Sequence, residues 1–123
     1  MATLNDRVYD NGLGIFATEG TRLDICGTEP TTYTQATSTN SLGNKTSLSV
    51  GAPAARAGGG REVTVASFTN GNVTANGTAA YYAITDPTNS RLLATGQLSG
   101  SQAVTSGNTF SLSSFKIGIP APA

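Results

Sequence analysis

The chain has no histidine and no tryptophan, a single cysteine, and only seven basic and seven acidic residues among 123. Each shortage closes off a kind of chemistry. Without histidine the commonest general base and the commonest metal ligand are gone, and Ser-His-Asp or Cys-His arrangements are impossible. Cys26 cannot form an intrachain disulfide and has no companions for a zinc site. In Arg22-Leu-Asp-Ile-Cys26 it reads as a small hydrophobe inside a strand. The basic residues stand singly, so nothing resembles the clusters that displace counterions from nucleic-acid phosphates. Neither a basic amphipathic face nor an apolar run of spanning length is present, which argues against membrane binding. The opening Met-Ala-Thr-Leu-Asn-Asp-Arg7 carries no basic leader followed by an apolar core, so synthesis and folding in the cytoplasm are expected.

Large apolar side chains are scarce too. Leu, Ile, Val and Phe make up only about a fifth of the residues, near the composition of disordered chains. The zero formal net charge removes the other half of that signature. A single domain with a thin core is expected, open to support from self-association or from a larger partner.

What remains is rich in Thr, Ser, Asn and Gly. Asn70-Gly71, Asn76-Gly77 and Asp86-Pro-Thr-Asn-Ser90 divide residues 68–96 into short runs bearing Thr, Val and Tyr. Asn-Gly accommodates the positive φ of tight hairpin turns, so these runs predict antiparallel strands. Further strands are predicted at 22–26, with Leu23 and Ile25 on one side and Asp24 on the other, and at 45–50. Val63, Val65 and Phe68 are assigned to one strand; Phe68 breaks the alternation and suggests a bulge, or a strand wetted on neither face. Strands at 78–85, 91–98, 109–112 and 115–119 complete the pattern.

The predicted fold is all-β, a single antiparallel sandwich or barrel with a short N-terminal helix or arm and long loops. Residues 1–20 form the arm or helix, with Thr3 as N-cap and Leu4, Val8 and Ile15 on one face, cut short by Asn11-Gly12 and Gly14. Residues 28–60 are loop-rich, 61–119 a β meander, and 120–123 an extended Pro-Ala tail. Residues 29–40 read as loop or arm rather than core. Residues 51–60, ending in three glycines, read as the most mobile piece, to be ordered by a neighbour.

Candidate chemistry is sparse. Gly58-Gly59-Gly60 leads into Arg61-Glu-Val63, a strand, whereas a phosphate cradle opens a helix. Asp6 with Asp10, or Asp24 with Glu29, could pair as acid and base, but a glycosidase-like cleft wants more aromatics, and solvated surface charge is the better reading. Asp6-Arg-Val-Tyr-Asp10-Asn-Gly12 lacks calcium-loop spacing and suits capping and turns. Asn44-Lys-Thr46, Asn72-Val-Thr74 and Asn76-Gly-Thr78 match a glycosylation pattern that matters only in a secretory pathway. No catalytic, cofactor-binding or metal-binding residue is assigned, and no enzyme activity is expected. Tyr81 and Tyr82 should face opposite sides of a strand, one in the core and one at an interface. The candidate interface residues are Tyr33, Arg56, Gly58, Gly59, Gly60 and Tyr82.

Several segments carry a resemblance across nearly the whole chain. They are Leu4-Asn-Asp-Arg-Val-Tyr-Asp-Asn-Gly-Leu13, Asp24-Ile-Cys-Gly-Thr-Glu-Pro-Thr-Thr-Tyr33, Leu42-Gly-Asn-Lys45 and Ser90-Arg-Leu-Leu-Ala94, together with Thr105-Ser-Gly-Asn-Thr-Phe110 and Phe115-Lys-Ile-Gly-Ile-Pro120. The chain resembles a family of small structural proteins of tailed bacteriophages. The resemblance implies a virion component made in the host cytoplasm: a capsid cement or decoration protein on the outer surface of the shell. Its partner would be the major capsid protein, and a homo-oligomer, a trimer above other states, would fit local three-fold positions. A head-fibre, tail-associated or carbohydrate- or host-binding module on the virion is the alternative.

Overall fold

In the computed structural model, residues 6–120 are described, with side chains described from Asn11 onward. The expected Thr3 cap and the positions of Leu4 and Val8 on a helical face lie outside the described side chains. Helix α1 spans Asp6–Thr18 and runs straight through Gly12 and Gly14, which had been expected to end it. Packing outweighs the glycine penalty of about 1 kcal/mol each. Leu13 and Phe16, three apart and so on one face, are buried, whereas Ile15 keeps 36% of its surface exposed. The helix stops where Gly20 passes close to Ile84: a Cβ there would sit 2.9 Å from the Phe16 carbonyl and 3.1 Å from the Ile84 side chain.

Among the described residues nine strands follow: β1 (Arg22–Cys26), β2 (Ser41–Thr46), β3 (Ala54–Ala55), β4 (Arg61–Val65), β5 (Phe68–Val73), β6 (Gly77–Asp86), β7 (Arg91–Val104), β8 (Thr109–Leu112) and β9 (Phe115–Ile119). All ladders are antiparallel. Strand accounts for 53% and helix for 14% of the molecule, and the larger sheet curls into a half-barrel, so the fold is all-β. That sheet has the order β7-β6-β1-β2-β5-β8, and a smaller one the order β3-β4-β9.

This order is not the expected meander of residues 61–119. Only β6 and β7 pair as chain neighbours in that span; β5 pairs with β2 and β8, and β4 pairs with β9. The broken alternation at Phe68 has the same origin. Val63 and Val65 belong to β4 in the small sheet, and Phe68 opens β5 in the large one, so the mismatch marks a change of sheet. The Asn-Gly signals also act differently. Asn70-Gly71 lies inside β5, and neither Gly71 nor Gly77 has positive φ. The tight turns fall at Pro87–Ser90, where Ser90 takes φ 54°, and at Gly107, with φ 92°.

Glycines in the strands make room for rings. Gly96 stands directly opposite Tyr82, and a Cβ there would lie 2.5 Å from the phenol ring. Gly71 stands opposite Phe110, whose ring fills the space a Cβ would need. Such an aromatic-over-glycine pair occurs at each end of the large sheet, where a flat ladder must curl.

The core lies between the sheets. Leu23, Ile25 and Ile84 of the large sheet meet Val63 and Val65 of the small sheet, with Leu13 and Phe16 of α1 alongside. Full burial of each such aliphatic contributes roughly 2 kcal/mol. The alternate residues of β1 and β6 point to the other face, where Cys26 and Ala83 are covered by Ala36 and flanked by Tyr81 and Leu92. Ala36 sits in a π-helical turn, Gln35–Thr39, closed by the Asn40 amide donating to the Gln35 carbonyl at 2.8 Å. Residues 29–40, expected as loop, thus supply a lid to the back of the sheet. The strand expected at 45–50 lies earlier, as β2.

Candidate binding groove

The expected interface residues are distributed over the molecule. Tyr33 is half-buried at the start of the helical segment on the back face, its carbonyl accepting from the Thr37 hydroxyl at 2.9 Å. Arg56, Gly58, Gly59 and Gly60 come together in the turn joining β3 to β4. There the Arg56 amide donates to the Gly60 carbonyl at 3.1 Å, and all three glycines have positive φ. The Arg56 guanidinium folds back on its own turn, donating to the Gly59 carbonyl at 3.0 Å, while its aliphatic stem passes over Gly118. The segment expected to wait for a neighbour is therefore a β-hairpin with internal partners. Tyr82 is on the inner face, tilted against Phe115 at 4.6 Å, with burial holding its phenol above the usual range. Hairpin and tyrosines form no common patch: Tyr33 and Tyr82 lie on opposite faces of the large sheet.

The charged groups serve the scaffold. Asp24, wholly buried, accepts both forks of Arg22, from Nε at 2.7 Å and Nη2 at 3.0 Å, and the Ser41 hydroxyl at 2.6 Å. Arg22 also donates to the Thr37 carbonyl at 3.3 Å, fastening the helical turn to β1, and its bond to Asp24 raises the guanidinium pKa. Cys26 reaches towards the Ala36 carbonyl at 3.7 Å. Burial, then the nearby Asp24 charge, pushes its thiol up to about 12, which makes it an inert thiol. Asp86 organises the β6–β7 turn, accepting from the Thr88 amide at 3.1 Å and the Asn89 side chain at 2.8 Å; these bonds hold its carboxyl below the ordinary value. Glu62 pairs with Lys116 at 3.1 Å across the small sheet.

A large concavity lies along the open edges of the large sheet, which the sequence reading did not place. β7 and β8 are joined by a short turn, yet each pairs outward, β7 with β6 and β8 with β5. They diverge from that turn like an open V, at the seam where the half-barrel fails to close. The groove between them has a volume of about 860 Å³. Its floor is apolar and holds Tyr82, Phe110 and Phe115, three of the eight Tyr and Phe residues in the chain. A large bulge widens one wall. Tyr81 faces Gln97 and Ala79 faces Gln102, so Leu98–Ser101 stand opposite Ala80 alone. The bulge turns Leu98 towards the core and leaves Ser99 and Gly100 at the rim.

The rim is polar and uncharged. The polar residues along it are Gln97, Gln102, Asn108, Thr109, Ser111 and Ser114; Gln97, opposite Tyr81, and Thr109 and Ser111, alternating with Phe110 and Leu112, turn to the other face of their strands. None of these six side chains has a hydrogen-bond partner among the described residues. The only charged residue on the lining is Lys116, whose ammonium is paired with Glu62. A sequence signal did exist: from Leu92 to Phe115 no residue is charged, while Ser, Gln, Gly and Thr recur.

Among the described residues no group of three or more His, Cys, Asp or Glu side chains could hold a metal, and no helix is long and apolar enough to cross a membrane. Comparison with protein-family models, with curated proteins and with solved structures gives no match.

Proposed function

We propose that the chain is a non-enzymatic structural protein of a bacteriophage head, which docks on the outer surface of the major capsid shell and stiffens it. Its resemblance to small virion structural proteins motivates the reading. The observation that carries it is how its reactive groups are used. The buried carboxylate Asp24 ties β1 to β2 and holds Arg22, which reaches the helical turn, Asp86 shapes a hairpin, and the sole thiol is sealed under Ala36. Such a layout suits a rigid body that acts by contact.

A protein that binds the assembled shell better than loosened states stabilises it by mass action. The hairpin at Arg56–Gly60 and the half-buried Tyr33 on the back face are the features offered for such contacts, with trimers on local three-fold positions as the proposed assembly. The test is quantitative protein analysis of purified particles, with heat and low-salt challenge of particles lacking this chain. Copy numbers comparable to the shell subunit and reduced resistance are expected. Absence from particles, or unchanged resistance, overturns the reading; a handful of copies per particle would move it to the tail or fibre.

A further inference from the structure

We propose that residues 28–40 are a hinged strap, which opens as one unit while the sheets stay folded and uncovers an apolar strip on the back of β1 and β6. The inference goes beyond shell docking and does not rest on it.

Three observations converge. First, the segment closes on itself at its neck. The Gly27 amide donates to the Asn40 carbonyl and the Asn40 side chain to the Thr28 carbonyl, both at 3.3 Å, the pinched form of an Ω-loop. Second, its shortest hydrogen bonds are internal. Gln35 Oε1 accepts from the Thr31 amide and hydroxyl at 2.9 and 3.0 Å, and the Thr37 hydroxyl donates to the Tyr33 carbonyl at 2.9 Å. The Asn40 amide donates to the Gln35 carbonyl at 2.8 Å. Across the joint to the sheet, the described residues supply only two polar contacts, both long: Arg22 Nη2 to the Thr37 carbonyl at 3.3 Å and Cys26 Sγ to the Ala36 carbonyl at 3.7 Å. Third, little apolar surface holds the segment down. Of residues 28–40 only Pro30 and Ala36 are buried, and Ala36 offers a single methyl group.

Opening leaves the rest of the molecule intact. The main core lies on the opposite face of β1 and β6, where Leu23, Ile25 and Ile84 meet Val63 and Val65. The buried charge stays compensated, because Arg22, Asp24 and Ser41 all belong to β1 and β2 and keep their bonds to one another. Segments with few buried contacts open at a lower free energy than the strands they cover. What the strap uncovers is the small second cluster, Cys26 and Ala83 flanked by Tyr81 and Leu92. The fold thus holds a second apolar face, closed by default and reached by one local motion.

The experiment is alkylation of Cys26, the sole thiol, in the full chain by excess iodoacetamide at about pH 8.5, read by mass spectrometry. The thiolate displaces iodide and leaves a thioether, so openings that wet the thiol are recorded. A short cysteine peptide gives the unhindered rate, and the ratio of the two rates gives the opening equilibrium. Alkylation is expected to run ~100-fold faster than the global unfolding equilibrium from urea titration permits, and to stay flat in urea below the unfolding transition. Val63→Ala, in the main core, should lower the global folding constant ~30-fold and change alkylation by less than ~2-fold. Ala36→Gly, in the strap, should speed alkylation ~5-fold. In hydrogen exchange, the Ala36 and Asn40 amides should report the same opening as the thiol, and the β1 amides that of global unfolding. The inference is overturned if alkylation climbs with urea at the slope of global unfolding, or if Val63→Ala speeds it ~30-fold. It is equally overturned if Cys26 resists the reagent until the chain unfolds, or if the Ala36 amide exchanges together with β1.

Discussion

The two faces of the half-barrel use the same kinds of residue to opposite ends. Behind β1, threonine, serine, glutamine and asparagine join Arg22 and Asp24 in a closed network that holds the helical turn against the sheet. At the seam between β7 and β8, the same residue types are exposed to solvent, and their side chains have no hydrogen-bond partner among the described residues. Composition alone cannot separate these roles. What separates them is whether the backbone brings a matching group within reach, and on the back face the 35–39 turn does so.

The sharpest way to break this contrast is to remove one member from each side. Asp24→Ala takes away the acceptor for Arg22 and Ser41 in a fully buried position, and should cost about 3 kcal/mol in urea unfolding. Gln102→Ala at the rim should change stability by no more than about 0.5 kcal/mol. Equal losses from both would mean that the seam is as tightly built as the back.

A second test concerns the curl that brings the seam edges to one groove. Gly71→Ala and Gly96→Ala each drive a methyl into a ring, Phe110 or Tyr82, and each should destabilise by about 2 kcal/mol in the same assay. Neutral substitutions would show that the rings can move aside and that the groove is plastic.

The back face has one flaw, and correcting it should make the contrast stronger. Thr85 is fully buried, and its hydroxyl has no hydrogen-bond partner among the described residues. Thr85→Val keeps the shape and removes the unsatisfied oxygen, so a gain of about 1 kcal/mol is expected, read as a higher Tm.

The smallest effect is confined to alkaline solution. The thiol of Cys26 is raised from 9.0 to about 12 in the fold, so between these values the unfolded chain has lost a proton that the folded one retains. Stability therefore falls as pH rises through that window. Cys26→Ala should flatten this alkaline limb, measurable by urea titration across pH. Asp86 works at the other end. Its lowered pKa stabilises the fold above the ordinary carboxylate range, and that contribution is lost as acid protonates it.

Much of the architecture was readable from local pattern. Alternation in Arg22–Cys26 gave both faces of β1 correctly, with Leu23 and Ile25 inward and Asp24 on the other side. The Asp86-Pro-Thr-Asn-Ser90 turn and the strand Phe115–Ile119 fell where their residue types indicate. The failures share a cause. Gly12, Gly14 and Gly71 were read by backbone preference, yet tertiary packing decides what those positions do. The turn at Gln35–Thr39 has a weak helical sequence and exists because Ala36 covers Cys26 and Ala83. The uncharged run from Leu92 to Phe115 marks the segment of the groove, but not its shape, because its walls are set by strand order: β7 and β8 are neighbours in sequence but opposite edges of the sheet. The proposed contact residues scattered for the same reason.

That strand order also governs when the molecule can assemble. β1 needs β6 as its second neighbour, and β4 has its one long ladder with β9, so neither early strand is complete until late sequence arrives. Closing such distant pairings costs chain entropy before any contact repays it, which predicts slow, cooperative folding. A nascent chain that has reached Val65 holds valines without their sheet, and it is in that interval that a chaperone would find something to grip.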